Sequence, residues 1–134
     1  MSNRVSVTRH VEFEAAHMLT GYDGLCQNLH GHSYKLEVTI SCPKHDRNNN
    51  PFNFVIDFSK VNKMLKEYVP DHSFIVNVNN KNSAEYEVYK ILDSYNYRIM
   101  TMSKAPSSEN MVEVFAKDIQ ILLEKEFPDM ECTV

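Results

Sequence analysis

Hydrophobic and polar positions alternate along residues 5–17, where Val5, Val7, Val11, Phe13, Ala15 and His17 share one parity and Arg9 is the exception. Successive side chains of a strand leave opposite faces, so this pattern predicts a strand with one buried face. Residues 32–41 repeat it more cleanly. Tyr34, Leu36, Val38 and Ile40 lie on one face, and Ser33, Lys35, Glu37, Thr39 and Ser41 lie on the other. His30 and His32 extend the apolar face. Paired as an antiparallel hairpin, the two strands bring His17 and the His30–His32 pair to their connected end. Met18 to Leu29 then forms a long loop over that end, and long loops on rigid strands often carry function.

Cys42 to Pro51 reads as a polar turn, with His45 an ordinary surface histidine. Phe52, Phe54, Ile56 and Phe58 alternate and predict a third strand. Asp57 or Ser59 caps a helix over 60–69, whose Val61, Met64, Leu65 and Tyr68 follow helical spacing. Ser83 caps a second helix with Val88, Ile91, Leu92 and Tyr95 in one stripe, and Tyr97 to Met102 is a short strand. Pro106 to Asn110 starts the last helix, which buries Val112, Phe115, Ala116, Ile119, Leu122 and Leu123. Met130 to Val134 opens a final strand that is incomplete. Strands in hairpins with helices on one face predict an α+β fold with an antiparallel four-stranded sheet, in a single domain over 1–134. The unpaired edges of such a sheet call for assembly with further subunits.

Composition narrows the function classes. The net charge of −4 argues against a general nucleic-acid surface. No apolar run approaches the roughly 18 residues that span a bilayer, and the N-terminus lacks a signal peptide's apolar stretch. The 3 cysteines, Cys26, Cys42 and Cys132, form no disulfide framework, which fits a reducing cytoplasm and a free thiol at Cys26.

The candidate chemistry lies in His17 and in Cys26-Gln-Asn-Leu-His30-Gly-His32. Two residues apart on a strand, His30 and His32 leave the same face. Three imidazoles with no fourth protein ligand nearby suit a catalytic Zn²⁺ that keeps one position open. Cys26 stands close enough to act as base or nucleophile rather than ligand.

Five segments, Phe13-Glu-Ala-Ala-His17, Cys26-x3-His30-Gly-His32-x-Tyr34, Asp57-Phe58, Asp71-His72 and Pro106-Ser-Ser-Glu109-Asn110, occur in an order that resembles the 6-pyruvoyl-tetrahydropterin synthase / 6-carboxytetrahydropterin synthase family. The resemblance spans about residues 8 to 127. It implies the tunnelling fold, or T-fold, with subunits assembled as trimers or stacked into hexamers. It implies that His17, His30 and His32 are zinc ligands and that Cys26 is the catalytic base. Asp71 and His72 resemble the pair that relays a proton, and Glu109 a residue lining the pterin pocket at the subunit interface. The three residues between Cys26 and His30 resemble the bacterial 6-carboxytetrahydropterin synthases of the queuosine pathway, and the segment from Asn77 to Ala105 resembles the longer-chain bacterial branch. The chain departs in carrying Pro-Ser where the motif usually has Pro-Thr. Glu131-Cys132-Thr133-Val134 resembles the start of the family's last strand, but Glu131 comes too soon after Pro128 to match the pterin-anchoring glutamate, so that either the chain is truncated or the anchor is lost.

The implied substrate is 7,8-dihydroneopterin triphosphate, and the implied products are 6-carboxy-5,6,7,8-tetrahydropterin, acetaldehyde and triphosphate. Arg9, Lys35 and Lys104 are candidates for the triphosphate. Two readings stand beside this one: the pyruvoyl-forming enzyme, and a catalytically silent pterin- or zinc-binding oligomer of the same fold.

Overall fold

The computed structural model describes residues 3–128, without the side chains at positions 46, 48 and 49. The element order is β1 (Arg4–His17), β2 (His30–Pro43), α1 (Phe58–Tyr68), β3 (Ser73–Asn77), α2 (Ala84–Ser94), β4 (Ile99–Met102) and α3 (Ser108–Glu126). Short 3-10 turns occupy Leu25–Gln27 and Lys44–Asn49. The expected strand at Met130 to Val134 lies outside the described residues.

The chain divides into two compact units. One takes the chain up to Val11, Leu36–Tyr68 and the chain from Glu113. Its buried side chains include Val38, Ile40 and Cys42 of β2, Val61 and Leu65 of α1, and Phe115, Ile119 and Leu123 of α3. The alternation predicted for β2 is therefore real. Arg9, the exception on β1, donates to Asn62 Oδ1 at 3.0 Å and lies 4.2 Å over the Phe58 ring. A cation over an aromatic face tolerates an apolar setting, which explains its place in the pattern. Asp57 Oδ1 accepts from the backbone amides of Ser59 and Lys60 and so starts α1.

The expected third strand at Phe52–Phe58 does not form. Asn50 Oδ1 accepts from the amides of Phe52 and Phe54, and its Nδ2 donates to the Phe54 carbonyl. Asn53 turns left-handed with φ 55°. The backbone groups that a strand would offer to a neighbour are consumed locally, a habit of asparagine in turns.

The other unit takes Glu12–Lys35 and Val69–Val112. It holds the connected ends of β1 and β2, with β3, α2 and β4. Ser83 Oγ accepts from Tyr86 N and caps α2 as the sequence predicts.

The four-stranded sheet has the order β2-β1-β3-β4. Cross-strand bonds Asn3–Lys44, Thr8–Thr39 and Glu14–Ser33 make β1 and β2 antiparallel. The rest corrects the expectation of a purely antiparallel sheet. β3 runs parallel to β1, with Ala15 opposite Ser73, and β4 runs parallel to β3, with Phe74 opposite Ile99. Connectivity accounts for the β3–β4 pair, because a helical crossover through α2 returns the chain in the same direction; β3 itself runs opposite to β2, the strand before α1, and pairs with β1 rather than with β2. Burial of Ser73, Phe74, Ile75 and Val76 in succession shows β3 covered on both faces, so it carries no alternation to read.

Candidate metal centre and its surroundings

β1 ends on His17 and β2 begins on His30, so the hairpin's connected end gathers His17, His30 and His32. One ring nitrogen from each lies within 4.8 Å of the others. His17 is buried, His30 half-buried and His32 exposed. The Nε2 atoms of His17 and His30 stand 3.0 Å apart.

The second ring nitrogens fix the tautomers. His17 Nδ1 donates to the Pro106 carbonyl at 2.7 Å, and His30 Nδ1 donates to the Asn28 carbonyl at 2.7 Å. A carbonyl only accepts, so both Nδ1 atoms carry a proton, and a ring in its neutral form then turns an Nε2 lone pair toward the other ring. Two lone pairs at this distance repel unless a cation lies between them. Carbonyl partners on the outer nitrogens are the arrangement that orients metal-bound histidines. Burial, first, and the neighbouring His30 and His32 hold the His17 pKa below its ordinary value, against the Pro106 hydrogen bond that raises it. The neutral, ligating form is thus favoured. The donor set of three imidazoles and its geometry fit a zinc ion with one open position.

Tyr34 borders the triad, its ring 5.5 Å from His32 and 5.0 Å from Phe13, on which it stacks. Its buried hydroxyl has no hydrogen-bond partner among the described residues. Burial raises its pKa.

Cys26 is half-buried in the 3-10 turn Leu25–Gln27. Its carbonyl accepts from Leu19 N at 3.0 Å. Asn28 closes the same turn, its amide and Nδ2 both donating to the Leu25 carbonyl at 3.0 Å. The turn bearing Cys26 is thereby tied to the residue that orients His30.

Asp71 and His72 precede β3. His72 Nδ1 lies 3.1 Å from Asp71 Oδ2, with both side chains substantially exposed. Asp71 Oδ1 accepts from Glu14 N at 2.9 Å, and His72 N donates to the Glu14 carbonyl at 2.6 Å. Arg98 Nε donates to the Asp71 carbonyl at 2.9 Å. The Glu14 amide, and after it His72, hold the Asp71 carboxyl below the ordinary carboxylate value. His72 has φ 56°, a left-handed conformation that costs a side-chain-bearing residue ~1–2 kcal/mol. The Glu14 hydrogen bonds hold it there.

A cleft of about 660 Å³ is lined by Gly31, His32, Ser33, His72, Tyr97 and Arg98 among others. His32 of the histidine triad and His72 thus border a common cavity. Cys26 is not among the lining residues, and Glu109 sits exposed on the first turn of α3. Of the expected triphosphate cations, Arg9 is engaged with Phe58 and Asn62, while Arg98, which sequence reasoning passed over, lines the cleft.

Glu85 was also missed. Its carboxylate is buried at 1% exposure, with Oε1 accepting from Thr20 Oγ1 and Oε2 from Asn77 N, both at 2.8 Å. An acid in the first turn of a helix reads as a solvated cap, and nothing local signals its burial. Among the described residues no helix is long and apolar enough to cross a membrane.

A family model described as 6-pyruvoyl tetrahydropterin synthase matches residues 6–133. A 6-carboxy-5,6,7,8-tetrahydropterin synthase of Rickettsia typhi is 32% identical over 122 residues, covering 84% of this chain and 82% of that protein. One of Haemophilus influenzae is 38% identical over 82 residues, 59% of this chain and 57% of that protein. The crystal structure of an uncharacterized protein from Wolinella succinogenes superposes with a TM-score of 0.64 at 17% identity, over 92% of this chain and 87% of the other, a likeness of fold. The fold is the α+β T-fold, with a mixed sheet and three helices. The chain belongs to the 6-pyruvoyl tetrahydropterin synthase family, and by that membership it is a lyase.

Proposed function

We propose that the protein is a zinc-dependent lyase that converts 7,8-dihydroneopterin triphosphate to 6-carboxy-5,6,7,8-tetrahydropterin, releasing acetaldehyde and triphosphate. One observation carries the reading: the Nε2 lone pairs of His17 and His30 converge at 3.0 Å, with His32 completing the triad. The chemical assignment draws support from relatives named 6-carboxy-5,6,7,8-tetrahydropterin synthase and from the gap of three residues between Cys26 and His30. The whole chain serves as one synthase domain in this reading.

His17, His30 and His32 would hold the zinc. When bound, it supplies a Lewis acid that withdraws charge from the substrate's side-chain oxygens and favours a thiolate nearby. The remaining work falls to the chain. Cys26, on a turn braced from both ends by Leu19 and Asn28, removes the proton from the substrate's side-chain carbon. His72 exchanges a proton with the substrate through Nε2, since its Nδ1 faces Asp71. Asp71 keeps that ring oriented, and the Glu14 amide keeps Asp71 in place. Glu109 lines the pterin pocket where subunits of a trimer or hexamer meet. Among the described strands β2 and β4 lie at the edges of the sheet, and these edges with the exposed Tyr95 and Tyr97, which precede β4 in sequence, favour such assembly. The cytoplasm is the compartment that suits a free Cys26, and 7-deazaguanine precursor synthesis is the process served.

Incubation of the zinc-loaded protein with 7,8-dihydroneopterin triphosphate, followed by product masses, tests the reading. A 6-carboxy pterin with acetaldehyde supports it. A 6-pyruvoyl pterin would move the protein to the pyruvoyl branch, and unreacted substrate would leave a silent binding protein.

A further inference from the structure

We propose that Glu85 is a positioning residue for the catalytic loop, a buried post that holds Thr20 and through it the turn carrying Cys26. The proposal rests on the role given to Cys26 above.

Glu85 stands in the first turn of α2, where the free amides of a helix N-terminus favour a carboxylate. It is almost wholly buried, yet its two oxygens meet one neutral donor each, Thr20 Oγ1 and Asn77 N. Burying a carboxylate is unfavourable unless hydrogen bonds replace its water. The two bonds it receives are therefore strong ones, and they join separate parts of the unit. Asn77 is the last residue of β3, and Thr20 is an exposed residue of the loop that follows His17.

From Thr20 the constraint passes to Cys26 in two steps. Leu19, the adjacent residue, donates its amide to the Cys26 carbonyl at 3.0 Å. Its own carbonyl accepts from Tyr22 N at 3.0 Å, closing a turn whose third position is Gly21 with φ +86°. A turn of this type favours glycine there, so residue and backbone agree at the loop's start. One side-chain bond, one peptide and one backbone bond connect Glu85 to the cysteine. A base displaced by ~1 Å can lose about 100-fold in rate, so a post for this loop has a catalytic consequence without touching substrate.

The test reads the thiol itself. Wild type, Thr20→Val, Thr20→Ser and Glu85→Gln, each in the zinc-loaded protein, are treated with iodoacetamide. Modification of the Cys26 peptide is followed by mass. Thr20→Val, near-isosteric at an exposed site, changes the Cys26 alkylation rate by about fivefold or more, and Thr20→Ser, which keeps the hydroxyl, stays within about twofold of wild type. Glu85→Gln can keep both partners, its Oε1 accepting from Asn77 N and its Nε2 donating to Thr20 Oγ1, and stays within about twofold of wild type. Zinc content stays the same in Thr20→Val and Thr20→Ser. An unchanged alkylation rate in Thr20→Val overturns the proposal, as does loss of its zinc, which would place the effect on His17. The readout does not need turnover: retained activity in Cys26→Ala would remove the base role, whereas a wild-type alkylation rate in Thr20→Val would remove the post.

Discussion

The Pro106 carbonyl accepts a hydrogen bond from His17 Nδ1 at 2.7 Å, joining residues 89 positions apart. The Pro-Ser-Ser-Glu-Asn segment therefore reaches the candidate metal centre through a backbone atom of its first residue. Pro106 itself is almost fully buried, and Ser107 Oγ accepts from Asn110 N to set the start of α3. The helix start, the proline carbonyl and the His17 tautomer form one connected arrangement.

Zinc affinity should depend on each imidazole and little on the loop. Loss of a group that only hydrogen-bonds a ligand typically weakens a metal site by about 10–100-fold, and loss of a ligand should exceed that. His30→Ala is expected to bind zinc more than about 100-fold more weakly in a competition titration, while Cys26→Ala keeps wild-type affinity. Stoichiometric, tightly held zinc in His30→Ala would remove the ligand assignment.

Tyr68 makes an alkaline prediction. Its hydroxyl donates to Asp118 Oδ2 at 2.6 Å, and burial, then that bond, raise its pKa far above the ordinary 10.0. Above pH 10 the unfolded chain releases a proton that the folded chain retains. This contribution to stability is full below the ordinary value and declines as pH rises past it. Tyr68→Phe should cost ~1–2 kcal/mol near neutral pH. In urea unfolding, that gap should shrink by up to ~1.4 kcal/mol per pH unit above pH 10, because only the wild type has this proton to lose. A gap that stays constant into the alkaline range would contradict the assignment.

Much of the site was legible in residues 13–34 because strand parity and a hairpin place His17, His30 and His32 without tertiary knowledge. Capping residues Asp57 and Ser83 were legible for the same reason, since their chemistry is local. Sheet direction was not, because β3 is buried on both faces and its pairing depends on the path through α1. The strand expected at Phe52–Phe58 failed because one side chain, Asn50, outcompeted ladder bonds that no pattern of hydrophobicity encodes. Glu85 and Arg98 were hidden because their partners lie in other segments.

His72 offers a test that separates strain from chemistry. At φ 56° a glycine is unstrained and an alanine is not. His72→Gly should therefore be ~1 kcal/mol more stable than His72→Ala in thermal or urea unfolding. Both should lose turnover alike, since both lack the ring that Asp71 orients. Equal stabilities would argue against the left-handed backbone. Wild-type turnover in either would take His72 out of the proton path.

The sharpest prediction falls on Cys26. General-base catalysis typically contributes about 10²–10⁴-fold, so Cys26→Ala should lower kcat within that range. The thiol is not among the three donors gathered at the metal centre, and its turn is held by backbone bonds from Leu19 and Asn28 that alanine preserves. Zinc content and thermal midpoint should consequently stay at wild-type values. Rapid-quench measurement of pterin product against zinc stoichiometry on the same preparation decides the matter. Loss of zinc together with activity would make Cys26 a ligand, and full activity with zinc in place would leave the proton to another group, for which His72 is the residue at hand on the cleft it shares with His32.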